Sequence, residues 1–95
     1  MPFANYNAYK NITAAATTVV KAGPGQLFCI NLQNMAAAST MTIFDNTAGS
    51  GTVIATYTQG AAAQVSPVTL FYDVKFNIGL TIVTTNTNDI TVSFA

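Results

Sequence analysis

Threonine, valine and isoleucine alternate with a period of two in one short segment after another, and Gly, Asn, Asp or Pro ends each run. A period of two sends successive side chains to opposite faces of a strand, so this chain is built for many short strands rather than helices. Thr17–Lys21 is one such run, stopped by the turn signal Ala22-Gly23-Pro24-Gly25. Gln26–Leu32 follows, with Phe28, Ile30 and Leu32 expected on one face and Leu27 and Cys29 on the other. Thr40–Asp45 sets Met41 and Ile43 against Thr42 and Phe44. Thr52–Thr58 sets Val53, Ala55 and Tyr57 against Thr52, Ile54 and Thr56. The two read as a hairpin around the longer loop Asn46–Gly51.

Val68–Tyr72 comes next, with Pro67 at its start, where a missing N–H costs least. Val74–Phe76 is a separate short segment. Leu80–Thr84 points Leu80 and Ile82 inward, and Ile90–Phe94 closes the sequence with Ile90, Val92 and Phe94 on one face. Asn11–Ala14 adds a further short strand. The alanine cluster Met35–Ala38 is too short for a stable helix. The prediction is an all-β single domain over residues 12–95. It is a β-sandwich or small barrel of about seven or eight mainly antiparallel strands, preceded by an N-terminal arm over residues 1–11.

Charge narrows the function classes. The 95 residues carry 3 Lys and 3 Asp, with no Arg, Glu or His. Charged residues are 6% of the chain, against about 25% in ordinary soluble domains. Scattered Lys10, Lys21 and Lys75 make no basic patch, so no nucleic-acid partner is expected. No run of apolar residues has the length of a membrane helix, and no membrane partner is expected. Zero net charge with so little surface charge favours self-association, and edge strands offer further pairing sites.

The residue types needed for acid–base or metal chemistry are also scarce. Asp45, Asp73 and Asp89 lie apart in sequence at turns or strand junctions and read as partners for nearby backbone N–H groups. Asp45 with Asn46 makes at most a weak Ca²⁺ site. Cys29 has no His partner and reads as a small buried hydrophobe. One Cys without His cannot build a zinc site. Gly23-Pro24-Gly25 and Gly49-Ser50-Gly51 lack the residues of a phosphate loop and read as turns. No enzymatic activity, cofactor or metal is expected.

Three stretches carry a family resemblance: Thr18-Val19-Val20-Lys21-Ala22-Gly23-Pro24-Gly25-Gln26-Leu27, then Met41 through Ala55, then Phe76-Asn77-Ile78-Gly79-Leu80-Thr81-Ile82-Val83-Thr84. The middle one is the most specific, with Ile43-Phe44-Asp45-Asn46, a Gly-rich loop and Thr52-Val53-Ile54-Ala55. Over residues 17 to 94 the chain resembles small tailed-bacteriophage virion structural proteins of the capsid decoration (cement) or head-fibre type. The resemblance implies a β-sandwich held on or between major capsid protein subunits on the capsid exterior, commonly as a homotrimer. A dimer is the second expectation. The start Met1-Pro2-Phe3-Ala4-Asn5 has no signal-peptide pattern, so synthesis in the host cytoplasm is expected.

Residues 1–16 lie outside that resemblance. Phe3, Tyr6 and Tyr9 recur every three residues there in a polar, Ala-rich context. They are the candidate interface residues, read as an arm docking on a neighbouring subunit, with a strap on their own domain as the other reading. Loops Asn46–Gly51 and Thr84–Asp89 are the candidates if the chain is instead a fibre or spike module for surface glycan. A tail or connector component is a further alternative.

Overall fold

The structure is a computed structural model, and it describes residues 8–95. Eight strands run β1 (Ala8–Ile12), β2 (Ala16–Ala22), β3 (Gly25–Met35), β4 (Thr40–Asp45), β5 (Thr52–Thr58), β6 (Val68–Phe76), β7 (Gly79–Thr84) and β8 (Asn88–Phe94). They form two four-stranded sheets. Sheet A has the order β1-β8-β3-β6 and sheet B the order β2-β7-β4-β5, with every pair antiparallel. The chain crosses repeatedly from one sheet to the other, which is the jelly-roll arrangement of a β-sandwich. Of the Met35–Ala38 cluster, Met35 ends β3 and Ala37 and Ala38 form the turn after it, with Ala38 at φ 59°.

The core lies between the sheets. Leu27, Ile30, Leu32, Ile90 and Val92 from sheet A face Met41, Ile43, Leu80 and Ile82 from sheet B, all fully buried. Ile12, Met35 and Phe76 complete it. Leu80 and Ile82 point inward as expected, and the faces shared by Met41 with Ile43 and by Ile90 with Val92 are the inward ones.

Three local irregularities correct the simple alternation. In β3 the register with β8 shifts between Leu27 and Cys29. Phe28 is the extra residue, half-buried, and the phase flips across it, so Leu27 rather than Phe28 joins Ile30 and Leu32 in the core. In the hairpin the register shifts between Ile43 and Phe44, so Ala55 and Tyr57 pack on the core while Val53 is turned out. Val68–Phe76 is one strand, not two, bent at Asp73, whose φ of 51° is a left-handed conformation that Asp tolerates better than most residues.

The N-terminal boundary also moves. Residues 8–11, assigned to an arm by their lack of alternation, lie in β1 and pair with β8 from Ala8↔Phe94 to Asn11↔Thr91. Pairing with a completed sheet overrides weak local preference. Lys10 sits on the core side of this edge strand opposite Val92, and a charge in that position blocks pairing with another chain.

Candidate functional site

Each aspartate is taken up in holding the fold. The Asp45 carboxylate, at the end of β4, accepts from the backbone N–H groups of Ile78 (2.9 Å) and Asn77 (3.0 Å), with Gly79 at 3.4 Å. It fastens sheet B to the β6–β7 turn. The Ile78 and then the Asn77 N–H hold its pKa below the ordinary carboxylate value, with Gly79 adding and partial desolvation opposing. Asp89 accepts from Asn11 Nδ2 at 2.9 Å, and Asp73 accepts from Gln26 Nε2 at 2.5 Å. Among the described residues no three His, Cys, Asp or Glu side chains gather into a metal-binding group. No helix among them is long and apolar enough to cross a membrane.

The loops singled out in the sequence are engaged with their own domain. Asn46–Gly51 folds back over the outer face of sheet B. Thr81 Oγ1 donates to the Asn46 carbonyl at 2.7 Å, and Asn46 Nδ2 donates to the Ser50 carbonyl at 2.7 Å. In the 84–89 loop, Asn86 Nδ2 donates to the Ala37 carbonyl at 3.3 Å. Two shallow concavities lie at the margins. One is lined by Pro24, Gln26, Lys75 and Asn77, the other by Tyr57, Gln64, Val65 and Val68. Neither gathers a nucleophile with a base.

What remains are the two outer sheet faces, where the register brings side chains into rows. On sheet B, Val19, Thr81, Phe44 and Val53 form one row and Thr17, Val83, Thr42 and Thr56 another. Val19 and Val53, at its two edges, are about half exposed. On sheet A, Tyr9 pairs with Ser93, Ser93 with Cys29, and Cys29 with Phe71, so one row crosses all four strands. Asn11, Thr91, Asn31 and Thr69 form the next. No charged side chain stands in any of the four rows.

The sheet A face has aromatic rims and a polar floor. Tyr9 is 75% exposed and Phe71 81% exposed, at opposite edges of the same row. The floor is tied together. Thr69 Oγ1 donates to Asn31 Oδ1 at 2.7 Å, Thr91 Oγ1 to Gln33 Oε1 at 3.1 Å, and Asn11 Nδ2 to Thr91 Oγ1 at 3.2 Å. Polar side chains held in this way lose little freedom when a ligand docks.

Of the predicted interface residues, Tyr9 is thus a strand residue of this face, while Phe3 and Tyr6 lie outside the described residues. Cys29, expected in the core, is half-buried on the outer face, because the bulge at Phe28 turns it outward. Phe71 was missed. It sits in the run Leu70-Phe71-Tyr72, apolar in both phases, and only the pairing of β6 with β3 shows that Leu70 and Tyr72 take the inner side.

Compared with known proteins, the chain matches no family model, no curated protein and no solved structure. Its class therefore rests on its own architecture, a small jelly-roll sandwich whose central outer rows carry no charged side chain.

Proposed function

We propose that this chain is a non-enzymatic structural protein of a virion, of the capsid decoration (cement) type, which associates with copies of itself and with the major capsid protein. The observation that carries the reading is the rim of the sheet B outer face. Its two rows contain only Thr, Val and Phe, and although the loop Asn46–Gly51 covers Thr81 at their centre, Val19 and Val53 stay exposed at the two edges. An uncharged, threonine-rich and partly apolar face on a chain with 6% charged residues suits a standing contact better than free solution. The resemblance in the sequence supplies the phage setting, the capsid exterior and the trimer. Jelly rolls serve in viral shells among other roles, and the strand order here suits that setting.

Cement proteins act by multiplicity. Even a few kcal/mol per site, summed over many copies, raises the resistance of a shell to rupture. Particles lacking this protein should release their genome at lower temperature than complete ones, and adding the purified protein back should restore them. Equal stability of stripped and complete particles would sink the cement role. Sedimentation at micromolar concentration checks the self-association separately. A single 9.9 kDa species would count against it.

A further inference from the structure

We propose that the outer face of sheet A is a binding site for a neutral oligosaccharide. This goes beyond the structural role and does not depend on it, because it concerns the sheet opposite the proposed contact face.

The argument starts from the aromatic rims. Tyr9 and Phe71 stand on the two edge strands of one cross-strand row, three inter-strand gaps apart, which is about 14 Å. Both rings are largely exposed, although neither is needed by the core. An aromatic ring stacks on the apolar C–H face of a sugar, and two rings at this spacing hold the ends of a chain of several sugar units rather than one monosaccharide.

Between the rims the floor offers what sugar hydroxyls bond to. Ser93, Thr91 and Thr69 supply hydroxyls. Asn31 and Gln33 accept bonds at their carbonyl oxygens, from Thr69 and Thr91, so their NH₂ groups stay available as donors. Ser93 and Cys29 are small and half-buried, so the row is low in the middle and high at its ends. Such a trough admits an extended chain lying across the strands.

Charge selects the class. Neither row contains Lys or Asp, and the charge that stands against them is the Asp89 carboxylate on Asn11, which repels the carboxylate or sulfate of an acidic sugar.

The test is an NMR titration of the full-length, isotopically labelled protein with neutral tri- to hexasaccharides built from glucose, galactose or mannose. Sialylated and sulfated oligosaccharides serve as controls. At least one neutral series should move the resonances of Tyr9, Asn31, Phe71 and Thr91. Tyr9→Ala and Phe71→Ala should each weaken that binding by about tenfold, since an aromatic contact is worth up to ~1.5 kcal/mol. Both side chains are exposed, so the variants should keep the wild-type thermal midpoint. No shift with any neutral series at millimolar concentration would overturn the proposal. So would shifts confined to other residues, equal binding of the acidic controls, or unchanged affinity in both variants. Movement of the same resonances on raising protein concentration without sugar would show a second copy on this face and would overturn it too.

Discussion

Replacing Asp45 by Asn removes one charge and almost no volume, and so isolates what the carboxylate does at the end of β4. Its oxygens receive N–H groups from Asn77 and Ile78 at 2.9–3.0 Å and a longer one from Gly79. Hydrogen bonds to a charged acceptor are worth roughly 1.5–3 kcal/mol each where solvent is excluded. Asp45 is only half-buried, and water screens the attraction, which brings the net loss to about 1 kcal/mol. In a domain of this size about 1 kcal/mol is 4–8 °C in Tm. The sign of the pH dependence follows from the depressed pKa. The carboxylate's contribution is fully present above its unfolded pKa, about 3.9. It is lost as pH falls through the lower folded value. Thermal unfolding of Asp45→Asn and the wild type, followed by circular dichroism between about pH 6 and pH 2, should therefore show a gap that is widest near neutrality and narrows in acid. Equal midpoints near pH 6, or a gap that stays constant down to pH 2, would refute the reasoning.

Two further predictions concern the corrected register and the N-terminus. Leu27→Ala should cost about 2–5 kcal/mol in urea unfolding, because Leu27 is fully buried, while Cys29→Ser on the outer face should stay within about 0.5 kcal/mol of wild type. Under the proposed capsid role, deleting residues 2–7 should weaken attachment to the particle, measured by co-sedimentation with it, and undiminished attachment would remove Phe3 and Tyr6 from the interface. Deleting residues 2–12 should destabilise the domain strongly, because it removes β1 and the buried Ile12 and bares β8.

Much of the fold is legible in the sequence because most of its strands obey one rule. β4 and β5 have the boundaries their alternation and flanking turns predict, and the inward sides of β7 and β8 follow from Leu80, Ile82, Ile90 and Val92. The misreadings occur where one residue breaks the period. Phe28 and Asp73 each mark a bulge, which reverses or bends the pattern without leaving a distinctive residue type behind. β1 was hidden for another reason. Ala8, Tyr9, Lys10 and Asn11 have no strong pattern of their own, and their conformation comes from β8, some eighty residues away. The sheet A face was the least legible part. Tyr9 stood out as an aromatic, but its row with Ser93, Cys29 and Phe71 exists only through the pairing of four strands distant in sequence.

That same strand order constrains how the chain reaches its native state. Of the six strand pairings only β4 with β5 joins neighbours in sequence. β8 is made after the other seven described strands, yet it lies between β1 and β3. On the ribosome, sheet A must wait with a gap at its centre until β8 has emerged. Such a topology has high contact order and folds slowly, and its waiting strands are open to the wrong partners. The rate of closure by β8 then becomes a limit on the yield of folded protein. Substitutions in Asn88–Phe94 should therefore reduce the soluble fraction during synthesis by more than their effect on the finished domain's stability accounts for.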